Sequence, residues 1–312
     1  MGADHPAVVA WHALCPQESQ PSGLDVLQAG ETAVYRFVGR RQRDASVIAK
    51  RSRRSTARIE RAIYEQFLPN LPLPMIHYYG SLTDPNGEFC WLFLEDVSKD
   101  EEYRVDSAEH RAAAGRWLGI MNSAVTSVEA ASSLPTKGSN HYRGLLYSAF
   151  EGLHTLAVGS HLKGDDLSIL KDTIAHCEQM SSAWPRMEEI CKGVPHTLVH
   201  GDFIKKNMRL RSDSNGIHFL LFDWEKAGWG VPAEDISRVD IPTYWAIVHK
   251  HWPRIGVQAC QRLAEVGKIF RCLVFLDWLL PSLFQDPTGQ SMHSLRQCET
   301  WLSDLIQAAA WR

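Results

Sequence analysis

The sequence has little of what marks a membrane protein, a disulfide-bonded secreted protein or a nucleic-acid-binding protein. Its longest apolar run, residues 272–280, contains Asp277 and stops at Pro281, well short of the roughly 20 residues that a transmembrane helix needs. The seven cysteines form no C-x-x-C pair, which excludes a zinc knuckle and does not fit a disulfide framework. The formal charge of −3 makes a nucleic-acid partner a poor expectation.

The first residues also lack the signs of export or lipid attachment. Asp4 and His5 stand where a secretory signal would have Lys or Arg, and Pro6 stands where a myristoylation signal needs Ser or Thr. We therefore expect a cytoplasmic protein without a membrane partner. The sequence leaves its oligomeric state open.

What is present is typical of a globular protein. With 312 residues, 45% hydrophobic and 22% charged, the chain is long enough for one large domain or two closely packed domains. Short strand-like runs and one amphipathic helix, at residues 57–68, fill the first 96 residues, and helical patterns dominate after Asp106. Strands followed by helices predict an α+β fold, with a domain over residues 1–96 and a second over residues 97–312.

Two apolar strand-like runs in the helical part end in acidic residues. Asp202 follows the first run and Asp223 the second, while Asn207 lies five positions after Asp202. A carboxylate at the end of a strand is held on a rigid element. Two carboxylates and an amide supply the oxygen ligands and the proton acceptor that Mg²⁺-assisted transfer of a phosphoryl group to a hydroxyl requires.

The segment around these acids resembles the catalytic and metal-binding loops of kinase-like enzymes. Residues 200–207, H-G-D-F-I-K-K-N, fit the pattern H-x-D-x-x-x-x-N, and residues 223–225, D-W-E, stand where protein kinases have D-F-G. The Gly after His and the D-W-E sequence are similar to the aminoglycoside phosphotransferase and choline kinase branch. The resemblance implies a bilobal kinase-like fold, with a small antiparallel sheet and one main helix in the first lobe.

Carried over to this sequence, the resemblance also implies roles for single residues. Asp202 is then the base that accepts the proton of the substrate hydroxyl, and Asn207 and Asp223 are the Mg²⁺ ligands. Lys50 is expected to contact the α- and β-phosphates of ATP or GTP while it pairs with Glu60. The remaining expected nucleotide contacts are Gly30 and Thr32 in the turn over the phosphates, and Glu95 and Val97 in the linker beside the purine.

The sequence departs from the family pattern in several places and leaves alternatives open. The turn at Gly30 lacks G-x-G-x-x-G, and Glu65 competes with Glu60 as the partner of Lys50. Lys205 and Lys206 stand where relatives often have Pro-Gly, so one of them is a candidate contact for the γ-phosphate or for an anionic substrate.

The interpretation that follows is a small-molecule kinase. Its acceptor is a hydroxyl of an amino-sugar, an amino-alcohol or a related metabolite. The alternatives are a nucleotide-binding module without catalysis and a protein kinase, although an A-P-E sequence is missing after the metal loop. The sequence does not separate ATP from GTP and does not identify the acceptor.

Overall fold

A computed structural model describes residues 4–38, 46–125, 133–159, 162–214 and 216–308. The chain divides into two compact units. The first contains described residues from Met1–Ala113, Ser127–Leu134 and Asp202–Ala227, and the second contains those from Ala114–Thr126, Pro135–Gly201 and Gly228–Arg312. No helix among the described residues is long and apolar enough to cross a membrane.

The first unit is built on an antiparallel sheet with the strand order β1-β2-β3-β5-β4. The strands are β1 (Gly23–Gln28), β2 (Ala33–Val38), β3 (Val47–Arg53), β4 (Tyr78–Thr83) and β5 (Phe89–Glu95). Central strand β3 pairs with β5 from Val47 opposite Glu95 to Arg53 opposite Phe89. Because successive side chains alternate between faces, Lys50 and Arg51 point to opposite sides of this sheet.

A helix that the sequence patterns did not predict packs against the same sheet. Helix α1 (Pro6–Leu14) begins with a proline in its first turn, and the His5 side chain accepts a hydrogen bond from the Ala7 N–H. Its fully buried Trp11 lies with its ring centre 5.7 Å from that of Phe37 and 5.3 Å from that of Phe93. Aromatic packing of this kind buries a large apolar area and explains why the helix is ordered.

The predicted amphipathic helix forms, with different ends and a change of geometry inside it. Helix α2 (Arg54–Ala62) starts directly after β3, and residues Ile63–Phe67 continue it as a π-helical turn. Such wide turns shift the phase of the side chains that follow. Glu60, before the turn, is fully buried, whereas Glu65, within it, is exposed.

A second small sheet completes the first unit with chain segments that are distant in sequence. Strands β9 (Met208–Asp213) and β10 (Gly216–Leu221) form an antiparallel hairpin, and β6 (Glu101–Glu102) pairs with β9. Arg211 on β9 forms ion pairs with Glu95 and Asp100, both at 2.7 Å. These contacts tie the segment of residues 202–227 to the first unit.

The second unit is mainly helical. Its helices are most of α3 (Ala108–Ala124), α4 (Ser139–Gly159), α5 (Gly164–Lys192), α6 (Ala233–Ile236), α7 (Ile241–Val248), α8 (Val257–Gln285) and α9 (Gly289–Ala308). A sheet of β7 (Thr136–Lys137), β11 (Gly228–Gly230) and β8 (Thr197–Val199) accompanies them. At the contact between α6 and α8, a Cβ atom on Gly267 would lie 1.8 Å from the Ala233 carbonyl oxygen, so the backbones approach too closely for any side chain.

The predicted α+β fold is confirmed, since an antiparallel sheet precedes a mainly helical region. The two units group the chain differently from the predicted division at residues 96 and 97, because the strand pairing and the ion pairs of Arg211 draw residues 202–227 to the first unit. The division into domains 1–96 and 97–312 stays a prediction.

Candidate active site

A cavity of about 380 Å³ lies in the first unit and is lined by the strands, the linker and the two loops. It takes side chains from β2, β3 and β5, from α2, and from the segments around Lys206 and Asp223. The predicted site residues that line this cavity are Thr32, Lys50, Glu60, Glu95, Val97 and Asp223.

Lys50 is the electrostatic centre of this cavity. Its Nζ atom lies 2.8 Å from Glu60 Oε2, 2.5 Å from Asp223 Oδ1 and 3.4 Å from Glu225 Oε2. Glu65 instead bonds to Arg61 and to the Tyr78 hydroxyl. The structure therefore pairs Lys50 with Glu60 and not with Glu65.

Three carboxylates around one ammonium shift the pKa values of the group. Burial acts to lower the pKa of Lys50, but Glu60, Asp223 and Glu225 outweigh it and raise that pKa. Burial raises the pKa of Glu60, and Lys50 only partly opposes this. The Glu60 Oε1 atom is buried without a hydrogen-bond partner among the described residues. The cavity thus holds Lys50 fully charged beside an excess of negative groups.

Asp223 has an unusual backbone conformation. It is the sole non-glycine residue of the described ranges with a positive φ, at φ 69° and ψ 62°. A left-handed conformation costs free energy for a residue with a Cβ atom and is found at sites where geometry matters. Here the chain turns sharply after β10, and the Asp223 carboxylate faces Lys50.

Hairpin register places Asn207 near Asp223. Met208 pairs with Leu221 in the hairpin, and the next two residues outward are joined by a hydrogen bond of 3.2 Å from the Phe222 N–H to the Asn207 carbonyl. Asn207 and Asp223 therefore lie at the same end of β9 and β10.

The side-chain amide of Asn207 is oriented by Asp202. Its Nδ2 atom donates to the Asp202 carbonyl oxygen at 3.0 Å and to Asp202 Oδ2 at 2.9 Å. This leaves the amide oxygen as the atom that Asn207 offers to a cation. The ammonium of Lys206 is 3.6 Å from Asp202 Oδ2.

The backbone before Asp202 is held by a buried carboxylate of the second unit. Asp235 accepts hydrogen bonds from the N–H groups of His200 at 2.7 Å and Gly201 at 3.2 Å. Burial, with the charge of Glu234, raises the pKa of Asp235 to about 7, although the two N–H groups oppose the shift. Sequence reasoning assigned no role to Asp235, because nothing in its local pattern shows its long-range partners.

The predicted phosphate turn and linker have simple local structures. Gly30 has a φ of 136°, which few other residues adopt, and the Thr32 carbonyl accepts a hydrogen bond from Gln28. Gly30 is not among the residues that line the cavity. In the linker, the Glu95 carboxylate bonds to the His77 N–H and to Arg211, so the Glu95 side chain is already engaged.

Among the cavity residues without a role assigned from the sequence are Glu225, Arg209 and Arg36. Arg36 pairs with Asp96 at 2.7 Å. Glu225 carried a signal, because it follows Asp223 by two positions. The two arginines carried none, since surface arginines are common on strands of this kind.

The donor set fits a magnesium ion that arrives with a nucleotide. No group of three or more His, Cys, Asp or Glu side chains in the described part of the chain is arranged to hold a metal. At nucleotide-binding sites, Mg²⁺ is usually held by one or two carboxylates together with the phosphates. Asp223 and the oxygen of Asn207 supply ligands of that type.

Fold and cavity together define a kinase-like phosphotransferase. The sequence matches the Phosphotransferase enzyme family over residues 25–279. The chain belongs to this family, and the resemblance inferred from residues 200–225 is confirmed. A comparison with curated proteins finds no match.

Solved structures show the same fold at low sequence identity. The GDP complex of a wild-type aminoglycoside 2'-phosphotransferase-IIIa is 12% identical, with a TM-score of 0.63 over 94% of this chain and 97% of that one. An ethanolamine kinase of Plasmodium vivax is 13% identical, with a TM-score of 0.57 over 92% and 83%. A macrolide 2'-phosphotransferase of Brachybacterium faecium is 13% identical, with a TM-score of 0.56 over 88% and 90%.

Proposed function

We propose that this protein transfers the γ-phosphoryl group of ATP or GTP, with Mg²⁺, to a hydroxyl of an amino-sugar, an amino-alcohol or a related metabolite. The observation that carries the proposal is the ion-pair cluster in the cavity, where Lys50 bonds to Glu60 and Asp223 at 2.8 and 2.5 Å. Phosphoryl transfer depends mainly on positioning and on charge neutralisation, and these side chains provide both.

We assign to each residue the role that the family resemblance implies for it. Asp202 is the base: it accepts the hydroxyl proton as the acceptor oxygen bonds to the γ-phosphorus and the bond to the β–γ bridging oxygen breaks. Lys50 contacts the α- and β-phosphates, and Glu60 holds its ammonium in place. Asn207 and Asp223 are the ligands of Mg²⁺, which neutralises charge on the phosphates when it is bound.

The nucleotide site extends from the phosphate turn to the linker. Gly30 and Thr32 lie in the turn over the phosphates, and the backbone of Glu95 and Val97 binds the purine. Because the Glu95 carboxylate is occupied by Arg211 and the His77 N–H, we assign purine binding to main-chain groups. GDP is bound in the similar aminoglycoside phosphotransferase, which supports a nucleotide here without selecting ATP or GTP.

The acceptor is proposed as a class. The similar proteins are named for aminoglycoside, ethanolamine and macrolide acceptors, so the fold serves chemically different hydroxyl compounds. Because nucleoside triphosphates are plentiful in the cytoplasm, we place the reaction there.

The test is a screen for transfer, followed by removal of the base. The purified protein is incubated with Mg²⁺, with ATP or GTP, and with a panel of aminoglycosides, amino-alcohols and macrolides. With the best acceptor, Asp202→Asn should lower kcat by about 10²- to 10⁴-fold and should change nucleotide affinity by no more than a few-fold.

Asp213→Asn is the matched control. Asp213 ends strand β9 in the same unit and its side chain is 46% exposed, so this variant should keep its full rate. An Asp202→Asn enzyme that retains most of its kcat would contradict the assignment of the base. Tight nucleotide binding without transfer to any member of the panel would favour a binding module that lacks catalysis.

A further inference from the structure

Lys206 lies beside the proposed base and also lines the cavity. Its Nζ atom is 3.6 Å from Asp202 Oδ2, and its side chain is 64% exposed. Lys205, its neighbour, is exposed and does not line the cavity. The two adjacent lysines therefore differ in whether they line the cavity.

The backbone that carries Lys206 is held firmly. Residues Lys205–Asn207 form one turn of 3-10 helix. The Arg209 guanidinium donates to the carbonyl groups of Met208 at 2.8 Å, Lys206 at 3.3 Å and Lys205 at 3.5 Å. These bonds fix the direction in which Lys206 leaves the main chain, and from there its ammonium reaches Asp202.

The position of the base determines what Lys206 can contact. If Asp202 accepts the hydroxyl proton, the oxygen that loses this proton is the atom that attacks the γ-phosphorus. A cation 3.6 Å from the same carboxylate then lies close to the group in transfer. Lys50, in contrast, is buried and held by Glu60 and Asp223, a position suited to the α- and β-phosphates.

We propose that Lys206 is a further catalytic residue, whose ammonium binds a non-bridging oxygen of the γ-phosphoryl group during transfer. This inference rests on the function proposed above. An ammonium has three donors, so it can bond to Asp202 and to the phosphoryl oxygen together. Lys206 transfers no proton in this step: the hydroxyl proton goes to Asp202, and the electron pair of the broken bond leaves with the nucleoside diphosphate.

The chemical reason is electrostatic. Charge on the γ-phosphoryl oxygens changes as the bond to the leaving group breaks, and a fixed cation at these oxygens stabilises the transition state. Removal of a buried donor of this kind costs about 10²- to 10³-fold in kcat. Because Lys206 is largely exposed and solvent screens its charge, we expect a smaller loss, of about 10- to 100-fold.

The experiment compares Lys206→Met with Lys206→Arg and with the matched control Lys205→Met. Steady-state kinetics give kcat and the KM of each substrate, with the best acceptor from the screen. Calorimetry gives the affinities for ADP and for the β,γ-imido analogue of ATP, both with Mg²⁺. We expect Lys206→Met to lose kcat and several-fold affinity for the ATP analogue, with ADP affinity within two-fold of the original. Lys206→Arg should recover part of kcat, and Lys205→Met should match the unmodified protein.

Several results would overturn the proposal. One is a kcat for Lys206→Met within two-fold of the original. Another is an equal loss of affinity for ADP and for the ATP analogue, which would place Lys206 at the β-phosphate. A third is a higher KM for the acceptor at unchanged kcat, which would make Lys206 an acceptor-binding residue. If the protein transfers phosphate to no acceptor, the proposed function fails, and the two nucleotide affinities still decide whether Lys206 contacts the γ-phosphate.

Discussion

Replacement of Lys50 should destabilise the protein far more than replacement of its partner Glu60. In Lys50→Met, the fully buried Glu60 loses its ion-pair partner, and its Oε1 atom is already without a hydrogen bond among the described residues. In Glu60→Gln, Lys50 keeps Asp223 and Glu225 at 2.5 and 3.4 Å. Both variants remove the ion pair at the 2.8 Å contact, but only the first leaves a buried carboxylate without a cation.

The sizes of the two effects follow from that difference. Loss of one member of a buried ion pair costs about 3–5 kcal/mol. We expect this for Lys50→Met near neutral pH, because burial raises the pKa of Glu60 and its carboxyl must either stay charged without a cation or take up a proton on folding. For Glu60→Gln we expect about 1 kcal/mol, since the amide has the same shape and can still accept a bond from Lys50. Three carboxylates for one ammonium is an excess of negative charge, so removing one of them relieves repulsion.

Urea unfolding, followed by tryptophan fluorescence, measures the difference. The midpoint and slope of each variant are compared with those of the unmodified protein, and a constant slope shows that the same surface unfolds. Glu65→Gln is the matched control, because Glu65 pairs with Arg61 at the surface and such pairs contribute about 1 kcal/mol or less. Equal midpoints for Lys50→Met and Glu60→Gln would refute this account of the cluster.

Three further expectations concern other parts of the chain. Asp223→Asn should abolish Mg²⁺-dependent transfer in a magnesium titration, and an unchanged Mg²⁺ dependence would remove Asp223 from the metal site. Asp235 has a pKa raised by burial from 3.8 to about 7, so its contribution to stability is complete below pH 3.8 and is lost as the pH rises through about 7. Between pH 5 and pH 8, the urea midpoint of the unmodified protein should therefore fall more than that of Asp235→Asn. If the midpoints of the two proteins changed with pH in parallel, the raised pKa of Asp235 would be contradicted. Gly267→Ala should lower the free energy of unfolding by about 3 kcal/mol or more, because the new Cβ atom would overlap the Ala233 carbonyl. The control Gly144→Ala, in an exposed helical position with open space, should raise it by up to about 1 kcal/mol. Equal thermal midpoints for the two variants would argue against the close contact at Gly267.

The sequence predicted the parts of the site that depend on short-range spacing. The five-residue spacing from Asp202 to Asn207 and the apolar run before Asp223 identify two loops. Both signals are local, so they can be recognised in the sequence without knowledge of the rest of the fold. The family resemblance paired Lys50 with Glu60 and left Glu65 as the competitor, and in the structure the Lys50 ammonium donates to Glu60. The roles of these residues in catalysis and metal binding remain predictions.

Contacts between distant segments were beyond sequence reasoning. Strand β9 was not predicted, because its alternation of Arg with apolar residues is short and includes no turn signal at its start. Helix α1 is ordered through Trp11 and its packing against the sheet, which no local pattern shows. The π-helical turn after Ala62 also has no distinctive composition that would reveal it in the sequence.

The separation between Lys50 and Asp223, 173 positions along the chain, has a consequence for synthesis. At about 5–20 residues per second, the ribosome needs roughly 9 to 35 seconds after Lys50 is made before Asp223 is made. For most of that interval, from the completion of β5 at Glu95 onwards, the nascent chain contains the strands of the first sheet but lacks the β9–β10 hairpin of the same unit. The growing polypeptide therefore passes through a long stage in which Arg211 has not yet reached Glu95 and Asp100, and a prematurely terminated product would lack both loops.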